Sequence, residues 1–135
     1  MQKTTTFLWF DRNAEEAMNF YVDVFDGAPN KTGTSKVIRI DRYEKGIDAP
    51  GAAENLVECQ DQKEVDYFWE KLSAVPESEQ CGWVKDKFGL SWQITPKRLD
   101  ELASDPDREK AHRVISAMLQ MKKIDIAELE RAYKG

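Results

Sequence analysis

Few residues in this chain carry reactive side chains, and their spacing narrows the chemistry further. His112 is the single histidine, and Cys59 and Cys81 are the two cysteines. Cys81 stands close in sequence to Trp83 and Lys85. A neighbouring lysine lowers a thiol pKa and favours a nucleophile, but no histidine is at hand as its base. A free structural thiol is the simpler reading. Cys59, in the middle of an expected strand, reads as buried and inert. His112 lies between Ala111 and Arg113 in a helical tail, which suits a surface or interface position better than catalysis. Glu58 is the weak candidate for a catalytic general base, with Lys85 and Gln93 as electrostatic helpers. Asp86-Lys87-Phe88-Gly89 reads as a turn whose glycine takes a positive φ, with Asp86 in a structural role.

Composition bounds what these groups can serve. The 135 residues suit one domain. Hydrophobic residues make up 41% and aromatic residues 10%, which argues against a disordered chain. With 25 acidic against 20 basic residues the net charge is −5, giving no electrostatic reason to bind nucleic acid or an anionic membrane. No apolar run approaches the roughly 20 residues needed to cross a bilayer. Met1-Gln2-Lys3-Thr4 lacks the apolar core of a secretion signal, and two cysteines form no disulfide framework. The expectation is a cytoplasmic protein without a cofactor.

The elements that must position these residues emerge from pattern. Thr5-Thr6-Phe7-Leu8-Trp9-Phe10 predicts a strand. Asn13, with Glu16 three residues on, predicts a capping box for a helix over 14–25 that buries Ala17, Phe20, Tyr21 and Val24. A short second strand is expected at 36–40, a polar loop over 42–54 and a third strand at 56–60. Asp61 and Glu64 predict a second capped helix, with Val65, Phe68, Trp69 and Leu72 on its buried face. Strands near 82–85 and 90–95 flank the Asp86 turn, and Pro96 closes that hairpin. A tail helix is expected after Ser104-Asp105-Pro106-Asp107, with Ala111, Val114, Ile115, Met118 and Leu119 as its apolar stripe. Asp125 and Glu128 cap a last short helix. Two strand–helix starts, each capped alike and each followed by strands, suggest an internal duplication.

Three stretches then carry a family resemblance. Phe7-Leu8-Trp9-Phe10-Asp11, with Ala14-Glu15-Glu16-Ala17-Met18-Asn19-Phe20-Tyr21, resembles the opening of PhnB-like proteins of the vicinal-oxygen-chelate (glyoxalase/bleomycin-resistance) superfamily. The run from Cys81-Gly82-Trp83 through Trp92-Gln93-Ile94 is similar to that group's signature, and so is the tail from Ser104 through Met121. The group is often labelled 3-demethylubiquinone-9 3-methyltransferase-like. The resemblance implies an α+β fold of paired βαβββ modules with C-terminal helices, a homodimer and a pocket on each concave face. On this chain the modules would be 1–54 and 55–97, with a helical tail over 98–135. Two strands are wanting between Ile40 and Leu56, roughly 12–20 residues at usual lengths. Either the protein is pruned there or a segment is omitted from the sequence as numbered.

Metal-dependent members of the superfamily hold a divalent ion with inward-facing His and Glu. The matching positions here fall near Thr5 and Glu54, where histidine is expected, and at Gln93, where glutamate is expected. Oxygens without an imidazole make a poor site, so no metal is expected. Strand alternation turns Phe7, Trp9, Glu58, Ser91 and Gln93 toward the concave face, with Val57, Cys59, Trp92 and Ile94 beneath helices. Trp83 and Lys85 share one face, taken as the inner one. These seven residues, Phe7, Trp9, Glu58, Trp83, Lys85, Ser91 and Gln93, are the ligand-binding candidates for a small organic molecule. Trp9 and Trp83 serve equally as ordinary core residues. A methyl donor such as S-adenosylmethionine normally needs a glycine-rich first turn, and no G-x-G-x-x-G occurs in the chain.

Overall fold

The computed structural model describes Phe10, residues 13–35 and residues 54–135. Expected strands at 5–10 and 36–40, the candidates Phe7 and Trp9, and the two-strand shortfall before Leu56 lie outside those residues, apart from Phe10 itself. Helix α1 spans Ala14–Asp26 and buries Ala17, Tyr21 and Val24. Its start differs from the expected capping box, because the Asn13 side chain makes no cap hydrogen bond. The first turn carries Glu15 and Glu16, which favour the positive end of the helix dipole.

Strand β1 spans Glu54–Cys59 and helix α2 spans Gln62–Leu72. The Asp61 carboxylate accepts the Glu64 N–H at 3.0 Å, the cap the sequence predicts, while Glu64 reaches back to the Gln60 N–H at 2.6 Å. Val65, Phe68 and Leu72 are buried as expected, but Trp69 is half-buried and Glu64 takes a buried place instead. After a 3-10 turn at Pro76–Ser78, strands β2 (Trp83–Lys85) and β3 (Ser91–Pro96) form the expected hairpin. The described sheet has the order β1-β3-β2, with β1 parallel and β2 antiparallel to β3. The helix between β1 and the hairpin supplies the crossover that a parallel pair needs. The result is the mixed α+β class.

The chain turns straight from β3 into helix α3 (Lys97–Ala103), which sequence pattern does not predict. Pro96 therefore does more than close the hairpin: it is the last residue of β3 and the cap of α3, where its fixed φ suits a helix start. Helices α4 (Arg108–Met118) and α5 (Ile126–Lys134) begin at Asp107 and Asp125, whose carboxylates accept first-turn N–H groups. The apolar stripe expected on α4 is only partly buried. Ala111 and Val114 face inward, whereas Ile115 and Leu119 are exposed.

Two apolar clusters hold the described residues together. One joins α1 and α2 to the sheet through Tyr21, Phe68, Val84, Trp92 and Ile94. The other lies among the tail helices, around Leu99, Leu102, Val114, Met121, Ile124 and Leu129. The tail is anchored by main-chain recognition. Cys81 and Gly82 donate their N–H groups to the carbonyls of Met121 and Lys122, both at 2.8 Å. The Gln62 amide donates to the Ile124 carbonyl at 3.0 Å and accepts the Ile126 N–H at 2.9 Å.

Candidate functional site

Strand alternation divides the sheet as the sequence implies. Val57, Cys59, Val84, Trp92 and Ile94 are buried beneath helices. Leu56, Glu58, Trp83, Lys85, Ser91 and Gln93 share the opposite face, by the pairings Leu56–Gln93–Trp83 and Ser91–Lys85. Five of the seven candidates are thus brought onto one face. Trp83, Lys85, Ser91 and Gln93 are half-buried there, while Glu58 is exposed and Leu56 is 66% exposed.

Of those five, Glu58 also lines a cleft. At the end of β1 a cleft of about 430 Å³ opens between the strand, α2 and the loop after α1. Its apolar walls are Phe25, Ala28, Leu56, Val57 and Phe68, with the two phenylalanine rings 5.1 Å apart. Its polar residues are Glu58, Glu64, Lys31, Thr32, Thr34 and Ser35. Trp83, Lys85, Ser91 and Gln93 lie on the adjoining sheet face, not in the cleft. Sequence reasoning missed the 31–35 loop and gave it no role. A lysine with three hydroxyl residues around Gly33 is the signal it passed over.

The loop is built onto the cleft by two aspartates. Asp26 accepts the Ser35 N–H at 3.1 Å and pairs with Lys31 at 3.1 Å; the Lys31 contact first, then the Ser35 N–H, hold its carboxyl below the usual range. Asp61, while capping α2, also accepts the Asn30 amide at 3.1 Å. Those hydrogen bonds, the Glu64 N–H first, depress its pKa as well. Asn30 sits in the left-handed region at φ 62°, which asparagine tolerates better than most residues.

The other reactive groups are placed plainly. Cys59 is buried, and burial together with the carboxylates of Glu64, Asp61 and Glu58 pushes its thiol up to about 12. Cys81 is half-buried at the tail junction, its Sγ 3.6 Å from the Leu119 carbonyl. His112 is exposed on α4 beside a shallow groove of about 610 Å³. Asp86 has the structural role expected of it. Its carboxylate is 1% exposed and accepts from the Tyr21 hydroxyl, the Trp92 indole and the N–H groups of Phe88 and Leu90. Gly89 has the expected positive φ, 85°.

Thr5 and the Glu54 side chain fall outside the described residues, and Gln93 offers a neutral amide with no imidazole beside it. Among the described residues no group of three or more His, Cys, Asp or Glu is placed to hold an ion. Nor is any helix among them long and apolar enough to cross a membrane.

Comparison with known proteins covers the same residues. The model of the family described as 3-demethylubiquinone-9 3-methyltransferase matches residues 2–54 and 32–95, ending where the helical tail begins. The solved structure of a PhnB protein from Bacillus cereus, which carries the same label, is 31% identical, with 70% of this chain and 99% of that chain covered at a TM-score of 0.44. No curated protein matches the chain. The family match over most of the chain leads to one conclusion: this chain belongs to the 3-demethylubiquinone-9 3-methyltransferase family.

Proposed function

We propose that the protein binds a small organic ligand without a metal, in the cleft at the end of β1. The carrying observation is the composition of that cleft: a Phe25–Phe68 aromatic wall and Leu56, with a few polar groups led by Glu58. Apolar walls with sparse polar groups are the usual make-up of a small-molecule site, and the volume lies in the usual range. Leu56 links the cleft to the sheet face carrying Trp83, Lys85, Ser91 and Gln93, so a larger ligand would extend onto that face. We place the chain in the vicinal-oxygen-chelate superfamily, as a cytoplasmic homodimer. Two free cysteines support a reducing compartment.

A second reading is a metal-independent enzyme acting on a small aromatic or quinone-like substrate. Glu58, Lys85 and Gln93 sharing one sheet face favours it, with Glu58 as base. Methyl transfer, which the family label suggests, is less well supported. Its donor normally sits on a doubly wound parallel sheet with a glycine-rich turn, and the described sheet has one parallel and one antiparallel pairing.

Thermal-shift screening with aromatic metabolites tests the binding reading, since a ligand that prefers the folded state raises Tm. Hits are expected, and Leu56→Lys, at an exposed position, should abolish their shifts while leaving the ligand-free Tm nearly unchanged. A screen with no hit, or hits indifferent to Leu56→Lys, sinks this site. Zn²⁺, Ni²⁺, Mn²⁺ and Fe²⁺ should leave Tm unmoved. A hit turned over by the native protein but not by Glu58→Gln, with binding intact, would establish the enzyme.

A further inference from the structure

Resting on the reading of the β1 cleft as a ligand site, the charges around it point to the class of ligand. Among the described residues, three ionisable side chains line the cleft: Lys31, Glu58 and Glu64. Lys31 is already compensated, because its ammonium lies 3.1 Å from the Asp26 carboxylate at the root of the same loop. Asp26 is held ionised by that ammonium and by the Ser35 N–H, so the pair is electrically neutral near pH 7. What remains is two carboxylates. Glu64 is 7% exposed and accepts the neutral Gln60 N–H, which orients the carboxylate without cancelling its charge. Glu58 is exposed on the sheet face at the mouth of the cleft, where its carboxylate can meet a ligand.

Cys59, between Glu58 and Gln60 in sequence, has its thiolate disfavoured first by burial and then by Glu64, Asp61 and Glu58. Thr32, Thr34 and Ser35, hydroxyl-bearing residues, line the loop side of the cleft. Hydroxyl and carboxylate oxygens both accept from an ammonium, which has donors only. The opposite wall is aromatic, and a ring face attracts a cation further.

We propose that the cleft takes an organic cation: a protonated amine carried on a flat apolar body, the body against Phe25, Phe68 and Leu56 and the ammonium toward Glu58 and Glu64. An anionic ligand of the same shape is disfavoured by the two carboxylates, and a neutral one gains only the apolar contact.

Three naphthalene probes of one shape separate the possibilities: 2-naphthylmethylamine, 2-naphthalenemethanol and 2-naphthoate, titrated calorimetrically into the full chain. The amine should bind up to about fivefold more tightly than the alcohol, the scale of one exposed ion pair. The carboxylate should bind more weakly than either. The amine's advantage should shrink as salt is raised. Glu58→Gln, at an exposed position and with an unchanged Tm, should remove most of that advantage, lowering the amine's affinity far more than the alcohol's. If amine and alcohol bind alike, or Glu58→Gln leaves their ratio unchanged, the cation class falls and the apolar ligand site stands. If none of the three binds, the cleft is not a ligand site and both readings fall together.

Discussion

The hydroxyl of Tyr21 donates to the buried carboxylate of Asp86 at 2.6 Å, tying the middle of α1 to the β2–β3 turn across 65 residues of sequence. Asp86 is fully supplied, with two backbone N–H groups and the Trp92 indole completing its shell. A buried charge with this many donors fixes one arrangement of the hairpin against the helix. Tyr21→Phe removes one charge-assisted bond and should cost about 1.5–3 kcal/mol in urea unfolding. Asp86→Asn should cost more, because an amide nitrogen would then face donors. A double-mutant cycle with a coupling near zero would show that the contact contributes nothing.

The same bond gives the protein an alkaline limit. Burial, the hydrogen bond to Asp86 and the charge of Asp86 all raise the Tyr21 pKa far above its ordinary value of 10.0. A raised pKa means that the neutral phenol is the form the fold favours. Its stabilisation is fully present below the unfolded pKa and drains away as pH rises from about 10 toward the folded value. Each pH unit in that window removes about 1.4 kcal/mol. Urea midpoints of the native protein and Tyr21→Phe should therefore converge as pH rises above about 10. Parallel profiles would contradict the placement of Tyr21.

Why some of this was legible in the sequence, and some not, is a matter of how far each signal reaches. Asp61 with Glu64, Asp107, and Asp125 with Glu128 are local caps, readable from spacing because the donors lie within one turn. Alternation along β1 and β3 sorted Val57, Cys59, Trp92 and Ile94 from Glu58, Ser91 and Gln93, because a strand has a period of two. Helix α3 was hidden because Pro96 reads as a stop, although Leu99 and Leu102 have helical spacing. Ile115 and Leu119 fit a helical stripe, yet burial depends on what packs opposite, and α3 and α5 cover the other side of α4. The cleft was least legible. It brings Phe25, the 31–35 loop and Phe68 to β1 through tertiary contacts that no local pattern encodes.

Two glycines in the hairpin region separate backbone conformation from space. Gly82 has φ 83°, and a Cβ there would lie 2.9 Å from the Ile94 carbonyl oxygen and against Ile124. Gly89 has φ 85° with nothing within 4 Å of its added Cβ. Alanine at Gly89 should cost about 1–2 kcal/mol for the left-handed conformation alone. Alanine at Gly82 should cost clearly more and loosen the tail, since Gly82 also donates to the Lys122 carbonyl. Equal losses in Tm would show that the close approach at Gly82 carries no weight.

Docking of the tail can be loosened without touching its own core. The Gln62 side chain is its most economical contact, one amide that both donates to the Ile124 carbonyl and accepts the Ile126 N–H, as a neighbouring strand would. Gln62→Ala loses both hydrogen bonds to the tail, about 1 kcal/mol each, and an exposed one to Asp66, while Leu99, Val114, Ile124 and Leu129 keep one another buried. The expected signature is local: faster amide exchange over 119–127 and a thiol at Cys81 that reacts sooner with a disulfide reagent. Cys59, buried and with its pKa pushed up to about 12, should stay unreactive until global unfolding. If Cys81 and Cys59 respond together, the tail does not open by itself, and α3 to α5 unfold only with the sheet.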